Sequence, residues 1–92
     1  MKIFSNRPLY METQYRMLSM LKTMFPQFED ELGKIYWKDA VFREIAREYI
    51  ECINKQEMIM EKTGKKSDVY ADTIKELEVE LLSYLDRMKS NN

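Results

Sequence analysis

Six glutamates come closest to being a chemical site: Glu44, Glu48 and Glu51 in one stretch, and Glu76, Glu78 and Glu80 in another. Carboxylates three or four positions apart share one side of a helix, and carboxylates facing each other inside a bundle can hold a divalent metal or a small ligand. The di-iron bundles that work this way pair glutamate with a histidine three residues on, and this chain has no histidine. A solvated charged face is therefore expected, with Glu44 paired to Arg47 at i,i+3 and Glu51 to Lys55 at i,i+4. No metal ligands and no cofactor are assigned; a carboxylate-rich bundle that binds a metal or small ligand stands as the alternative reading.

Without histidine the chain lacks the commonest general base, the usual activator of a nucleophilic Ser or Cys, and the commonest transition-metal ligand. Its two glycines, Gly33 and Gly64, stand too far apart for a phosphate-cradling loop. Cys52 has no His or tight basic cluster beside it, only Lys55 one turn on, and is expected to pack as a small hydrophobe. Tyr49 and Tyr84 fall on apolar stripes, where a phenol ordinarily packs rather than reacts. No catalytic residue is assigned, and a non-enzymatic role is expected.

Fifteen basic and 16 acidic residues give a net charge of -1, too little attraction for nucleic acid. The charge is uneven: residues 1–25 carry Lys2, Arg7, Arg16 and Lys22 against Glu12 for +3, and the remainder is -4. A lone cysteine in a helical pattern fits a reducing compartment, so a cytoplasmic address is expected. No apolar run approaches the ~18 residues of a membrane span, and the start MKIFSNRPLY has no signal-peptide core.

Two prolines, two glycines and no period-2 alternation predict an all-α fold for the 92 residues, read as one domain. Phe42, Ile45, Tyr49 and Ile53, then Ile74, Leu77, Leu81 and Tyr84, make two stripes flanking Gly64. They predict an antiparallel hairpin of helices over about 40–62 and 67–89, these eight residues forming its seam. Asp39 is the expected N-cap of the first helix, Gly64 its C-terminal stop, and Ser67 the cap of the second. Upstream, Met11, Leu18, Leu21, Phe25, Phe28, Leu32 and Ile35 keep helical phase across Pro26, which lacks an N–H and crowds the carbonyl of Lys22. Helices over about 11–24 and 27–36 are expected, broken or kinked at Phe25 and Pro26, completing a small bundle; Ile35, Tyr36 and Trp37 should plug one end of the hairpin. Residues 1–10 and 90–92 are expected to be less ordered tails.

The segment with most functional content is Tyr15–Phe25, where Met17, Leu18, Met20, Leu21, Met24 and Phe25 form an apolar face wider than one packing contact needs. Burial against the rest of the chain or a symmetry mate accounts for it. Alternatively, its flexible methionines form a docking surface for another protein, or, given the local positive charge, its residues 11–25 lie on an anionic membrane surface. A chain this short has a thin core and no disulfide or metal to staple it, so self-association is expected.

The stretch from Asp39 to Leu85 resembles a group of short bacterial all-helical proteins of unknown function. The residues that carry the likeness are Asp39-Ala-Val-Phe-Arg-Glu-Ile, Tyr49, Glu51, Cys52, Tyr70 and Ile-Lys-Glu-Leu-Glu-Val-Glu-Leu. The resemblance covers about half the chain, and implies the hairpin and no catalytic or ligand residue. The expected function is a protein–protein interaction module or small accessory or scaffold subunit, either a homodimer or part of a larger assembly.

Overall fold

In a computed structural model of the chain, the backbone is described over residues 3–90 and the side chains over residues 11–90. Helix α1 spans Ile3–Met24, a short 3-10 turn Pro26–Phe28, α2 Glu29–Lys38, α3 Ala40–Thr63 and α4 Asp68–Ser90. There is no strand among the described residues. The fold is a small all-α bundle in which α3 and α4 form an antiparallel hairpin and α1 and α2 pack against one part of it.

Each boundary has a local cause. Phe25 leaves helical geometry at φ -126°, ψ 66°, next to the proline that cannot donate; its own N–H still bonds the Leu21 carbonyl at 2.8 Å, and Phe28 N–H bonds the Phe25 carbonyl at 3.0 Å. The expected break is thus a single tight turn. Glu29, Asp30 and Glu31 fill the positive end of α2. Asp39 caps α3, its Oδ1 accepting from Phe42 N–H at 3.0 Å, and Gly64 ends that helix at φ 75°, a left-handed conformation that suits glycine. Ser67 immediately precedes α4, its carbonyl accepting from Ala71 N–H at 3.0 Å.

The core is one cluster drawn from every helix: Leu18 and Leu21 of α1, Phe25 and Phe28 at the break, Leu32, Ile35 and Tyr36 of α2, Phe42, Ile45, Ala46, Tyr49 and Ile50 of α3, and Leu81 and Leu85 of α4. Residues phased across Pro26 thus share one destination, apart from Met11, which is exposed. Rings meet within it: Phe25 with Tyr49 at 5.9 Å and Phe42 with Tyr84 at 5.7 Å between centroids. Lys89 adds a cross-chain tie, its ammonium donating to the Gln27 carbonyl at 3.4 Å and lying 5.1 Å from the Phe28 ring.

Three sequence expectations need adjusting. Helix α1 starts at Ile3, well ahead of residue 11, and α4 reaches Ser90; Met1, Lys2, Asn91 and Asn92 of the expected tails lie outside the described residues. Glu51 pairs with Arg47 rather than Lys55, because the guanidinium reaches Glu44 Oε1 at 2.7 Å and Glu51 Oε2 at 2.8 Å together. Of the trio expected to plug the hairpin, Ile35 and Tyr36 are in the core, while Trp37 lies partly outside it, edge-on to Tyr15 and Tyr36 with centroids 5.2 Å from each.

Candidate interaction surface

Burial divides the hairpin into two halves. Residues Phe42 to Ile50 of α3 and Leu81 to Leu85 of α4 are held under α1 and α2. Between Glu51 and Glu80, all of them described, no residue is buried. Ile53, Ile74 and Leu77 pack on the edge of the core but stay partly exposed, and Met58, Met60, Val69 and Val79 are exposed outright, Val69 to 74%. Helices do not present such residues to water in isolation without cost; a two-helix arm ordinarily needs a third surface.

The cover is also one-sided. At 100° per residue, Ala46 and Ile50 lie on one flank of the α3 seam and are buried, which is where α1 and α2 sit. On the opposite flank Val41 is 58% exposed, Glu48, Lys55 and Lys62 are exposed, and Cys52 and Ile59 are only partly buried. Arg87 lies 4.9 Å from the Tyr84 ring on the matching flank of α4, where Leu77 is also partly exposed.

Overall dimensions agree. The chain exposes 6756 Å², against about 5,700 Å² expected of a compact 11.2 kDa monomer. Its radius of gyration is 15.1 Å, against about 12 Å for a compact domain of this length. Two regions extend beyond the core: α1 ahead of Leu18, with Met11 and Tyr15 exposed, and the outer hairpin.

The Met-rich face of α1 is largely used internally. Leu18, Leu21 and Phe25 are core residues, and Met17, Met20 and Met24 are partly buried against that core. The sequence located the apolar surplus in α1, whereas the uncovered surface lies along the hairpin. Its signal was present in Val41, Cys52 and Ile59, but Glu48, Lys55 and Lys62 are interspersed with them on that flank. Of the eight seam residues, Phe42, Ile45, Tyr49 and Leu81 are buried, and Ile53, Ile74, Leu77 and Tyr84 are partly so. Ala46, Ile50 and Leu85 joined the core unforeseen, because the position of α1 and α2 decides which seam flank is covered.

The carboxylates form no ligand set. Glu44 and Glu51 both close on Arg47, with Arg47 Nε also 3.4 Å from Glu44 Oε2, and the hydrogen bond from Arg47 pulls the Glu44 carboxyl below its ordinary range. No group of three His, Cys, Asp or Glu that could hold a metal occurs among the described residues. A shallow cleft of about 310 Å³ beside Gln14, Tyr36, Arg43 and Arg47 has its cations engaged already, Arg43 donating to the Tyr36 carbonyl at 2.7 Å and Arg47 to the two glutamates. The Tyr36 hydroxyl donates to Gln14. Tyr49 titrates above its ordinary value, first because burial disfavours the phenolate and second because Glu78 is near. No helix of the described residues is long and apolar enough to cross a membrane. No protein-family model, curated protein or solved structure matches the chain.

Proposed function

We propose that the chain is a non-enzymatic helical interaction protein, a homodimer or a small subunit of a larger assembly, whose outer hairpin is completed by another helical surface. The observation that carries this reading is the absence of any buried residue between Glu51 and Glu80, although the stretch holds Ile53, Ile59, Tyr70, Ile74 and Leu77 at helical spacing. The chain also exposes about 1,000 Å² more than a compact monomer of its mass, an excess shared between the start of α1 and the outer hairpin. The chemistry is of the same kind: exposed Met and Val with interspersed charges. A reduced Cys52 on a helix flank fits a reducing compartment such as the cytoplasm. Burial of Leu18, Leu21 and Phe25 removes from α1 the residues a membrane-surface mode would use.

Light scattering across micromolar concentrations, run beside an apolar dye, tests the proposal. The expected result is a mass above 11.2 kDa that falls on dilution, with dye binding rising as it falls. A chain that stays monomeric and binds no dye would remove the reason for the proposal.

A further inference from the structure

The cleft where α1, α2 and α3 meet is walled by Gln14 and Met17 of α1, Tyr36 of α2, and Ala40, Arg43 and Glu44 of α3. Its volume of about 310 Å³ is at the small end of the roughly 300–1,000 Å³ that ligand pockets span. Both guanidiniums beside it are engaged, but differently. Arg47 is neutralised, with Glu44 at 2.7 Å and Glu51 at 2.8 Å. Arg43 gives an N–H to the Tyr36 carbonyl at 2.7 Å, a neutral acceptor, and no carboxylate lies within ion-pair distance of it among the described residues. That bond ties the start of α3 to the end of α2 and fixes the guanidinium in the wall, while its charge and its other N–H donors stay unspent. Gln14 is oriented as well: its amide oxygen accepts from the Tyr36 hydroxyl, so the amide N–H groups are the end left to donate. From this surplus of fixed donors and one unmatched positive charge, we infer that the cleft binds a small monocarboxylic acid, its carboxylate held by Arg43 and Gln14 and its apolar body against Met17 and Ala40.

The chemistry of the wall selects that class. A guanidinium fork matches a planar carboxylate through two parallel N–H···O bonds. Glu44 is part of the rim, a negative charge that a dianion such as phosphate would meet at close range and a monoanion tolerates better. Arg43, Gln14 and Met17 are partly buried and Tyr36 is fully buried, so the attraction is screened less than on open surface. Met17 supplies a flexible thioether chain that adapts to the body of the acid. The cleft lies where α1 and α2 meet α3, away from the Val41 to Lys62 flank, so the inference stands apart from whatever covers the outer hairpin.

Nuclear magnetic resonance on the isotope-labelled full chain tests it by following the Arg43 side-chain Nε–H and the Gln14 side-chain amide. Benzoate, its neutral isostere benzamide, and inorganic phosphate are titrated at one ionic strength. Benzoate should move both signals and saturate, and the other two should move neither. Arg43→Lys keeps the charge and loses the fork, so it should weaken benzoate about tenfold or more for the charge-assisted bond removed, with the helical circular dichroism unchanged. Benzamide or phosphate moving the same signals as benzoate does, or benzoate failing to saturate, overturns the inference. A folded Arg43→Lys chain that binds benzoate as before also overturns it, and if that variant does not fold, the comparison of benzoate with benzamide on the native chain decides alone.

Discussion

Leu77 and Leu81 are the same residue one turn apart on the same face of α4, and the edge of the core runs between them: Leu81 is fully buried and Leu77 only partly. Replacing each by Ala therefore measures where the cover stops. At Leu81 the lost side chain is worth about 2 kcal/mol in transfer at ~0.8 kcal/mol per methylene. The closed void adds about 1 to 2 kcal/mol, because the packed core around Leu81, itself 0% exposed, collapses into it only in part. The expected loss is about 3 to 4 kcal/mol, a large part of the roughly 5 to 14 kcal/mol available to a chain this size. At Leu77 part of the side chain already meets water and no closed cavity forms, so about 1 kcal/mol is expected. Helix propensity favours Ala slightly and equally at both sites, so it cancels in the comparison. Urea unfolding followed by circular dichroism at low protein concentration gives both numbers. Equal losses, or a Leu81→Ala cost below about 1 kcal/mol, would refute the division of the hairpin into covered and uncovered halves.

Other perturbations follow from the same structure. Asp39→Ala removes the acceptor for Phe42 N–H at the start of α3 and should cost about 1 kcal/mol by urea unfolding; no loss would mean the cap adds nothing at this junction. Gly64→Ala meets no atom within 4 Å, so its cost comes only from φ 75° and should be about 1 kcal/mol. Tyr49 is a phenol whose pKa is raised in the folded state, so the unfolded chain ionises first as pH rises past about 10. Its contribution is complete below that pH and lost above it. The stability difference between the native chain and Tyr49→Phe should therefore shift in favour of the Phe variant between pH 8 and pH 11, and an unchanged difference would contradict the burial of that hydroxyl.

What the sequence revealed and what it hid have separate physical causes. Asp39, Gly64 and Pro26 act through the backbone within a few residues, so the cap, the stop and the break were readable locally. The phase of Leu18, Leu21, Phe25, Phe28, Leu32 and Ile35 survived the break, because the 3-10 turn reorients the chain while returning the same face to the core. Arg47 chose between two registers that spacing allows equally, and only the reach of its forked guanidinium to both Glu44 and Glu51 decided it. Which flank of the hairpin α1 and α2 would cover is a tertiary matter. Ile50 and Ile59 are the same residue on the same helix, yet only Ile50 is buried.

That asymmetry moves the surplus of apolar surface from one helix to another. The broad face of α1 looked unpartnered because its segment was read by itself; in the fold it fills the angle between α2 and the Ala46 and Ile50 flank of α3, which uses its leucines and Phe25 and partly covers its methionines. Having been spent at one end and on one side, α1 and α2 cannot reach the other flank or the outer half, for α2 is only 10 residues long and leads directly into α3 through Asp39. The shortness of α2 therefore sets the length of hairpin left open. A lengthened α2 would carry Asp39 and the start of α3 away from α1, while the present length holds Tyr36 beside Gln14 and Arg43. The same connection that closes the core thus leaves the Val41 to Lys62 flank outside the cover of α1 and α2.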